Sequence, residues 1–566
     1  MTAAARPSAG PAAHRHRLCE EQPARVDCWG AARRLERETH LFLLDSSGEH
    51  SELGRYSILA WRPRWEFLAK NGAARAGPPG AAEPLEGPVL AELERTLAVF
   101  SAAVAGESGQ GDAPPVFKGG AVGFFAYELL HEIEVLAPSV APDLGVADCH
   151  LLFCDLAVVT DEVAGRSWIL ANGWGSTDAE CRAECRALLC AGRAACVEVE
   201  EHGAARRTPH DARRTGCEDA RNGAEVRARG ARSVQMATGH RLRWRDLERH
   251  GVRALTAPGR YLELVRRARE RIFAGEVFEL CLAQRFDAEL DGAGVDLYQA
   301  LRTVTPAPMG AYLRYPELEL LSCSPERFLR VDAQRRVEMR PIKGTRPRGR
   351  DAREDRALAA ALASSPKDGA ENVMIVDVAR NDLGRVCEFG TVTVPRLRAV
   401  ERHPSVFQLV STVRGHLRPD ATPVQLLRAA FPGASMTGAP KIAAMRLIGA
   451  MEDSRRGVFA GAIGYIDYSG ELDLNIAIRT IVKRGEALSF HTGGAVTADS
   501  TPAEEYQETL DKACALVWAI AAARAAAGIG LPPVLRSSHR RLERDQGDRC
   551  GLVGYDDVGM ATTTTT

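Results

Sequence analysis

Lysine is scarce in this chain. Of 566 residues only seven are lysine (Lys70, Lys118, Lys343, Lys367, Lys441, Lys483 and Lys512), against 73 basic residues in all, so arginine is the ordinary cation. A lysine therefore marks a place where an ammonium can do what a guanidinium cannot, which is to lose its proton and act as base or nucleophile. Excess charge is missing too: 73 Lys+Arg face 74 Asp+Glu, a net charge of -1, which speaks against nucleic acid or an anionic membrane as partner. No two of the 14 cysteines are spaced C-x-x-C, the nearest pairs being Cys181/Cys185, Cys149/Cys154 and Cys185/Cys190. That excludes a zinc knuckle or dithiol redox motif, and we expect reduced thiols and a cytoplasmic location. The opening MTAAARPSAGPAAHRHR has no apolar h-region, and the longest apolar candidate for a membrane span, ALVWAIAAARAAAG from Ala515, is cut by Arg524. No membrane partner is expected.

What is present is ordinary globular usage, 45% apolar and 26% charged, on a chain long enough for several domains. Residues 1–17 and 530–566, which close in ATTTTT, are low in complexity and expected to be disordered. Residues 18–200 read as an α+β region in which LFLLD, YSILAW, GGAVGFFAYEL and LLFCDLAVVTD alternate with turns. Residues 201–258 read as an Arg-rich linker or insertion, with twelve arginines between 201 and 250. Order returns over 259–529. Tyr261, Leu264, Val265, Ala268 and Ile272 fall at helical spacing before Gly275, and strands then follow in GAYLRYPELELLSC and RVEMRPIKGT. The segments NVMIVDVARNDLG, VQLLRAAF and PKIAAMRLIGAM read as helices, and GAIGYIDYSG, ELDLNIAIRT and ALSFHTGG as strands. Strands grouped apart from helices predict an α+β fold with mostly antiparallel sheet.

Four constellations could carry chemistry. Thr501-Pro502-Ala503-Glu504 is a capping box for the last helix, which places Glu508 and Lys512 one turn apart on one side with Glu505 nearby. A solvated Glu-Lys pair is the plain alternative. Glu371 opens a second helix, and two carboxylates converging from distant segments would suit Mg2+. FPGASMTGAPK lacks the Lys-Ser/Thr of a phosphate loop and leaves a small-residue turn with free amides. SPERF and PIKGT supply Glu326 and, seventeen residues on, the rare Lys343. A buried ammonium with a depressed pKa is a usable nucleophile, and a neighbouring Arg340 or Arg346 would favour the neutral amine.

Taken together, GEVFELCLAQRF, SPERF, PIKGTRPRG, ENVMIVDVARNDLGRV, SMTGAPK, GAIGYIDYSGELDLNIAIRT and ADSTPAEEYQETLDKA resemble the chorismate-utilising enzymes. The resemblance implies a chorismate-utilising α/β sandwich with two mostly antiparallel sheets around the site and helices outside. It implies Mg2+ ligands at Glu371 and Glu508 and a general acid at Glu326. Chorismate contacts are implied at Gly344, Thr345, Tyr465, Arg479, Gly493, Gly494 and Lys512.

The spelling PIKGT resembles the aminodeoxychorismate-forming branch, whereas anthranilate synthases resemble PIAGT. In the first branch the lysine adds at C2 as the C4 hydroxyl leaves, and ammonia then attacks C4 and expels it. The water-using branches carry a basic lysine where this chain has Glu279; the Tyr-Gln pair of relatives is Phe278-Glu279 here, and Gln408 and Ala495 are further departures. DSSGEHSELGRYSIL resembles the tryptophan-holding segment of relatives, implying a pocket of Ser46, Arg55, Tyr56, Pro308 and Met309, with a ligand-free strand-turn-strand as the alternative. None of the cysteines sits in a G-x-C-x-G elbow, so a separate glutamine amidotransferase subunit is the expected source of ammonia. The rivals are anthranilate synthesis and a noncatalytic chorismate- or tryptophan-binding regulator.

Overall fold

The computed structural model describes residues 14–48, 53–102, 113–137, 139, 141, 144–196, 242–403 and 406–528. Two sheets of twelve strands each form the frame, and every strand pairing in them is antiparallel. The expected α+β sandwich is the observed fold.

Alternation along the strands sorts side chains to two faces. In the first sheet Leu41 and Leu43, with Leu59 and Trp61, pack under helices, whereas Phe42, Ile58 and Ala60 join a core shared with the second sheet. In that second sheet Val122, Phe124, Leu152 and Cys154 point into the same shared core, and Ala121, Phe125, Leu151 and Phe153 point the other way. The layers are therefore helices, sheet, sheet, helices. Strands buried on both faces explain the continuous apolar runs in the sequence.

Both halves of the chain build both sheets. The strand Leu41–Asp45 pairs with Met309–Tyr315 in one, and Gly120–Phe125 pairs with Ala462–Asp467 in the other. The helix Pro258–Phe273 buries Tyr261, Leu264, Val265 and Ala268 and stops at Gly275, whose φ of 77° is a left-handed turn that glycine adopts without strain.

Two differences concern the edges of the expected regions. His14–Arg17, expected in the disordered tail, belong to the strand His14–Glu21, which pairs along its whole length with Arg166–Gly175. Residues 242–258, expected in the linker, hold the helix Trp244–Arg249 and the strand Val252–Ala254, which extends the first sheet beside Glu279–Glu289. The rest of that expected linker, residues 201–241, and the expected tails 1–13 and 530–566 lie outside the described residues.

Candidate functional site

The strand Glu279–Glu289 lies beside Ala487–Val496 in a register that sets Cys281 opposite Ala495, Leu282 opposite Gly494 and Ala283 opposite Gly493. Lys343 enters from the strand Ile342–Pro347 of the other sheet. Its side chain is buried, and its Nζ pairs with Glu279 Oε1 and lies 3.9 Å from Glu371 Oε2. Burial opposes the charge, but the carboxylates of Glu279 and Glu371 outweigh it and hold the ammonium above its ordinary pKa.

In the ligand-free protein these carboxylates favour the charged ammonium, so the amine expected to be neutral in the substrate complex has a proton to lose first. Arg340 pairs with Glu401, and Arg346 donates to Asp368 at 2.6 Å, so neither guanidinium is the partner of Lys343. Two carboxylates surround it instead.

Glu326 sits just before the strand Arg327–Val331 with its carboxyl buried, and the Ser435 hydroxyl donates to its Oε1 at 2.9 Å. Burial pushes its pKa up to about 7, with the Ser435 hydrogen bond and the charges of Lys343 and Lys512 pulling back. Glu371 is raised to about 7 by burial as well, against the pull of Lys343. A carboxyl that keeps its proton near neutrality can serve as a general acid. Glu508 goes the other way: burial would raise it, but Lys512, whose Nζ is 2.7 Å from its Oε1, holds it below the usual range. The same ammonium donates to the Gly493 carbonyl at 2.8 Å, which ties the last helix to the glycine-rich strand.

The turn of that helix differs from the expected capping box. The Thr501 hydroxyl donates to Glu504 Oε2 at 2.6 Å and makes no bond to the helix backbone. Glu505, read from the sequence only as a neighbour of the ligand face, is buried at 4% exposure. Its Oε1 accepts from Ser500 at 2.6 Å, and its Oε2 has no partner among the described residues. A Cβ at Gly494 would come within 2.7 Å of Glu505 Oε2 and 3.4 Å of Glu508 Oε1, so glycine is what lets these carboxylates approach the strand. Gly344, with φ of 84°, is a second required glycine, since a Cβ there would strike Asp368 at 2.9 Å.

The charges of Lys343 and Lys367 both act on Glu371 and on Glu508, so the expected metal ligands face common ammonium groups. Among the described residues no set of three or more His, Cys, Asp or Glu is arranged to hold a metal. Glu371 and Glu508, with the unsatisfied oxygen of Glu505, would offer oxygen donors only. That fits Mg2+, which takes one or two carboxylates and completes its shell with water and substrate oxygens.

Thr345 stands opposite Gln408, whose buried Oε1 has no partner among the described residues. Arg479 lies just before the strand Thr480–Arg484, which pairs with the strand that precedes SPERF; its carbonyl accepts from the Cys323 amide at 3.1 Å, and its side chain makes no hydrogen bond or ion pair with any described residue. Tyr465 lines a second pocket with Ser46, Arg55, Tyr56, Pro308 and Met309, a pocket whose lining includes neither Lys343 nor Glu326. The alternation in its strand explains this: Ile463 and Tyr465 face the core between the sheets, and Ala462 and Ile466 face away. The five residues of the expected tryptophan pocket do share one cavity.

Sequence reading missed Glu279 as the partner of Lys343, Ser435, and Lys367. The signals were available in the departure from Tyr-Gln, in the serine of SMTGAPK and in the rarity of lysine.

A family model described as chorismate binding enzyme matches residues 39–517. An aminodeoxychorismate synthase from Streptomyces griseus is 39% identical over 508 residues, covering 88% of this chain and 64% of that protein. The chain thus spans less than two thirds of the length of that relative. An anthranilate synthase component 1 from Acetivibrio thermocellus is 33% identical over 494 residues, covering 86% of this chain and 91% of that protein. Among solved structures, anthranilate synthase component I from Streptococcus pneumoniae TIGR4 superposes with a TM-score of 0.65 at 28% identity, covering 83% of this chain and 95% of that one. Among the described residues no helix is long and apolar enough to cross a membrane. With a match across most of its length and a buried lysine-carboxylate cluster assembled from the matched segments, the chain belongs to the chorismate binding enzymes.

Proposed function

We propose that this chain converts chorismate and ammonia to 4-amino-4-deoxychorismate through a covalent adduct at Lys343. The observation that carries the reading is the placement of Lys343, a rare lysine, buried against Glu279 and beside Glu371, with its charge felt at the protonatable Glu326. The Streptomyces griseus relative supports the same reading.

The steps follow from the side chains. Lys343 is charged at rest, so its proton must leave before Nζ attacks C2, and Glu279, in direct contact, is the acceptor at hand. Glu326 holds a proton near neutral pH and can give it to the C4 hydroxyl as that group departs as water. Arg479, whose side chain has no partner among the described residues, can fork onto a substrate carboxylate. Gly493 and Gly494 let the strand approach the ring. Glu371 and Glu508 would hold Mg2+, which when bound neutralises negative charge on the substrate. Ammonia then adds at C4 and Lys343 leaves from C2. A glutamine amidotransferase is the proposed source of that ammonia.

A second reading, anthranilate formation, is favoured by the Acetivibrio thermocellus relative, 91% of whose length is covered. One experiment separates them. Incubation with chorismate, Mg2+ and ammonium, followed by a pyruvate-eliminating lyase, is expected to give 4-aminobenzoate; direct release of 2-aminobenzoate would replace the first reading with the second.

A further inference from the structure

Glu279 offers one more group to the reaction than the steps above use. Its residue is fully buried at 0% exposure, and Oε1 is taken up by Lys343. Oε2 is equally buried and has no hydrogen-bond partner among the described residues. A buried carboxylate oxygen without a donor is costly, and native structures retain one where a ligand completes it. Because the other oxygen of the same carboxylate touches Nζ, whatever completes Oε2 lies close to the amine that must be displaced.

We infer that Glu279 Oε2 is the receiving site for ammonium, the nitrogen substrate, and that Glu279 fixes its position beside the Lys343 adduct. The inference rests on the aminodeoxychorismate reading. Ammonium is the prevailing form of ammonia at neutral pH, and it brings four donors and a positive charge to a lone anionic oxygen. The glutamine of relatives at this position has a neutral oxygen, which accepts a hydrogen bond but does not attract a cation as strongly. Water has no charge to be recruited, so the carboxylate also favours nitrogen over water as the incoming group.

The step balances. Once the proton taken from Lys343 has passed to Glu326, which gave its own to the departing water, Glu279 is again a carboxylate; ammonium then passes one proton to it, and the resulting ammonia forms the C4–N bond while the C2–Nζ bond breaks and both ring double bonds shift back. The departing Lys343 amine takes the proton from Glu279. The ammonium-carboxylate pair seen in the ligand-free protein is thereby restored, and the product leaves with its new amino group.

The test is a steady-state comparison of wild type, Glu279→Gln and Glu279→Asp with chorismate, Mg2+ and ammonium chloride, following chorismate consumption and product identity. Glu279→Gln is expected to raise KM for ammonium at least tenfold with KM for chorismate changed less than twofold, and Glu279→Asp, which keeps the charge, to fall between. Mass spectrometry without ammonium is expected to find the Lys343 adduct in Glu279→Asp, which keeps a proton acceptor, and to find it formed more slowly in Glu279→Gln, which lacks one. Equal KM for ammonium in any folded variant overturns the inference, as does a shift in Mg2+ dependence in its place. Turnover only with glutamine and an amidotransferase, and none with ammonium chloride, overturns it too while sparing the aminodeoxychorismate reading. If the product is 2-aminobenzoate that reading fails, and the order of the KM values still decides the role of Glu279.

Discussion

The Lys343 cluster and the second pocket use charge in different ways. On the elements that carry the first of these, polar groups are left over: Glu279 Oε2, Glu505 Oε2 and Gln408 Oε1 are buried without partners among the described residues. In the second pocket two of the three lining arginines are spent on the wall, while Arg330 has no side-chain partner among the described residues. Arg55 pairs with Asp161 at 2.7 Å, and Arg327 is held by Asp473 at 2.8 Å and Glu338 at 3.4 Å. The Ser46 hydroxyl donates to the Tyr56 carbonyl at 2.7 Å, and the Asn475 amide donates to the Met309 carbonyl at 2.8 Å. The contrast teaches where chemistry is to be sought, because buried polar groups that the protein does not satisfy are those a ligand must satisfy. The second pocket, where Arg55, Arg327, Ser46 and Asn475 already have partners in the protein, is suited to holding its own shape.

The sharpest way to break this contrast is to alter Lys343. Lys343→Arg keeps the positive charge between Glu279 and Glu371 but removes the nucleophile, and the rate of amino product should fall at least about a thousandfold, since loss of a covalent nucleophile is among the most severe single changes. Intact-protein mass spectrometry with chorismate and no ammonia should then show no adduct. An arginine variant with near-normal turnover would reduce Lys343 to a charge partner. Lys343→Ala recreates the PIAGT spelling and should leave a trace of 2-aminobenzoate at most.

Glu326 comes next. Glu326→Gln should cost on the order of 10² to 10⁴ in kcat, the usual range for a general acid. Its folded pKa of about 7 lies above the ordinary 4.5, so the wild-type rate should decline as pH rises through about 7 and the proton is lost. The stability contribution has the same sign: it is fully present below about 4.5 and is lost as pH rises through about 7. A kcat profile that stays flat well into the alkaline range would remove Glu326 from the acid role.

Much of this was legible in the sequence because it is local. The helix of Tyr261 to Ala268, the hairpin of GAYLRYPELELLSC and the helix that begins with Pro502 follow from periodicity and caps that a short window contains. The segments that carry Glu326, Lys343, Glu371 and Glu508 were legible as motifs. The electrostatic state of Lys343 was not, because its partner Glu279 is 64 residues away on a strand of the other sheet. Nor was the burial of Glu505, which depends on the bare backbone of Gly494. Strand alternation says that Tyr465 and Ile466 face opposite ways but not which of them meets the site.

Glu508 and Glu505 sharpen the comparison within the cluster. Glu508→Ala should remove most Mg2+ affinity measured by calorimetry in the presence of chorismate, with the fold retained. Glu505→Gln should weaken it by roughly 10- to 100-fold, the range found for groups that support a metal site from its surroundings. If Glu505→Gln left Mg2+ binding unchanged, its unsatisfied oxygen would have no part in the metal site and Glu508 would act without it. Omitting chorismate should weaken binding in every variant, because substrate oxygens complete the shell.

The smallest expected effect tests the separation of the two pockets. Tyr465 is 7% exposed, and its ring meets Phe117 edge-on at 5.2 Å between the sheets. Tyr465→Phe keeps that ring, its volume and its edge-to-face contact, and takes away only the hydroxyl. If the catalytic cluster and this pocket are distinct, KM for chorismate and kcat should stay within about twofold of wild type, and stability should change by no more than about 1 kcal/mol, as for a substitution that neither opens a cavity nor strands a buried charge. Any ligand of the second pocket should be affected more than chorismate is. A loss in kcat/KM for chorismate beyond about tenfold, worth about 1.4 kcal/mol of transition-state binding, would mean that the hydroxyl reaches the substrate. The strand Ala462–Asp467 would then have to present Tyr465 to both cavities, and the division drawn from the paired charges of Arg55 and Arg327 would fail.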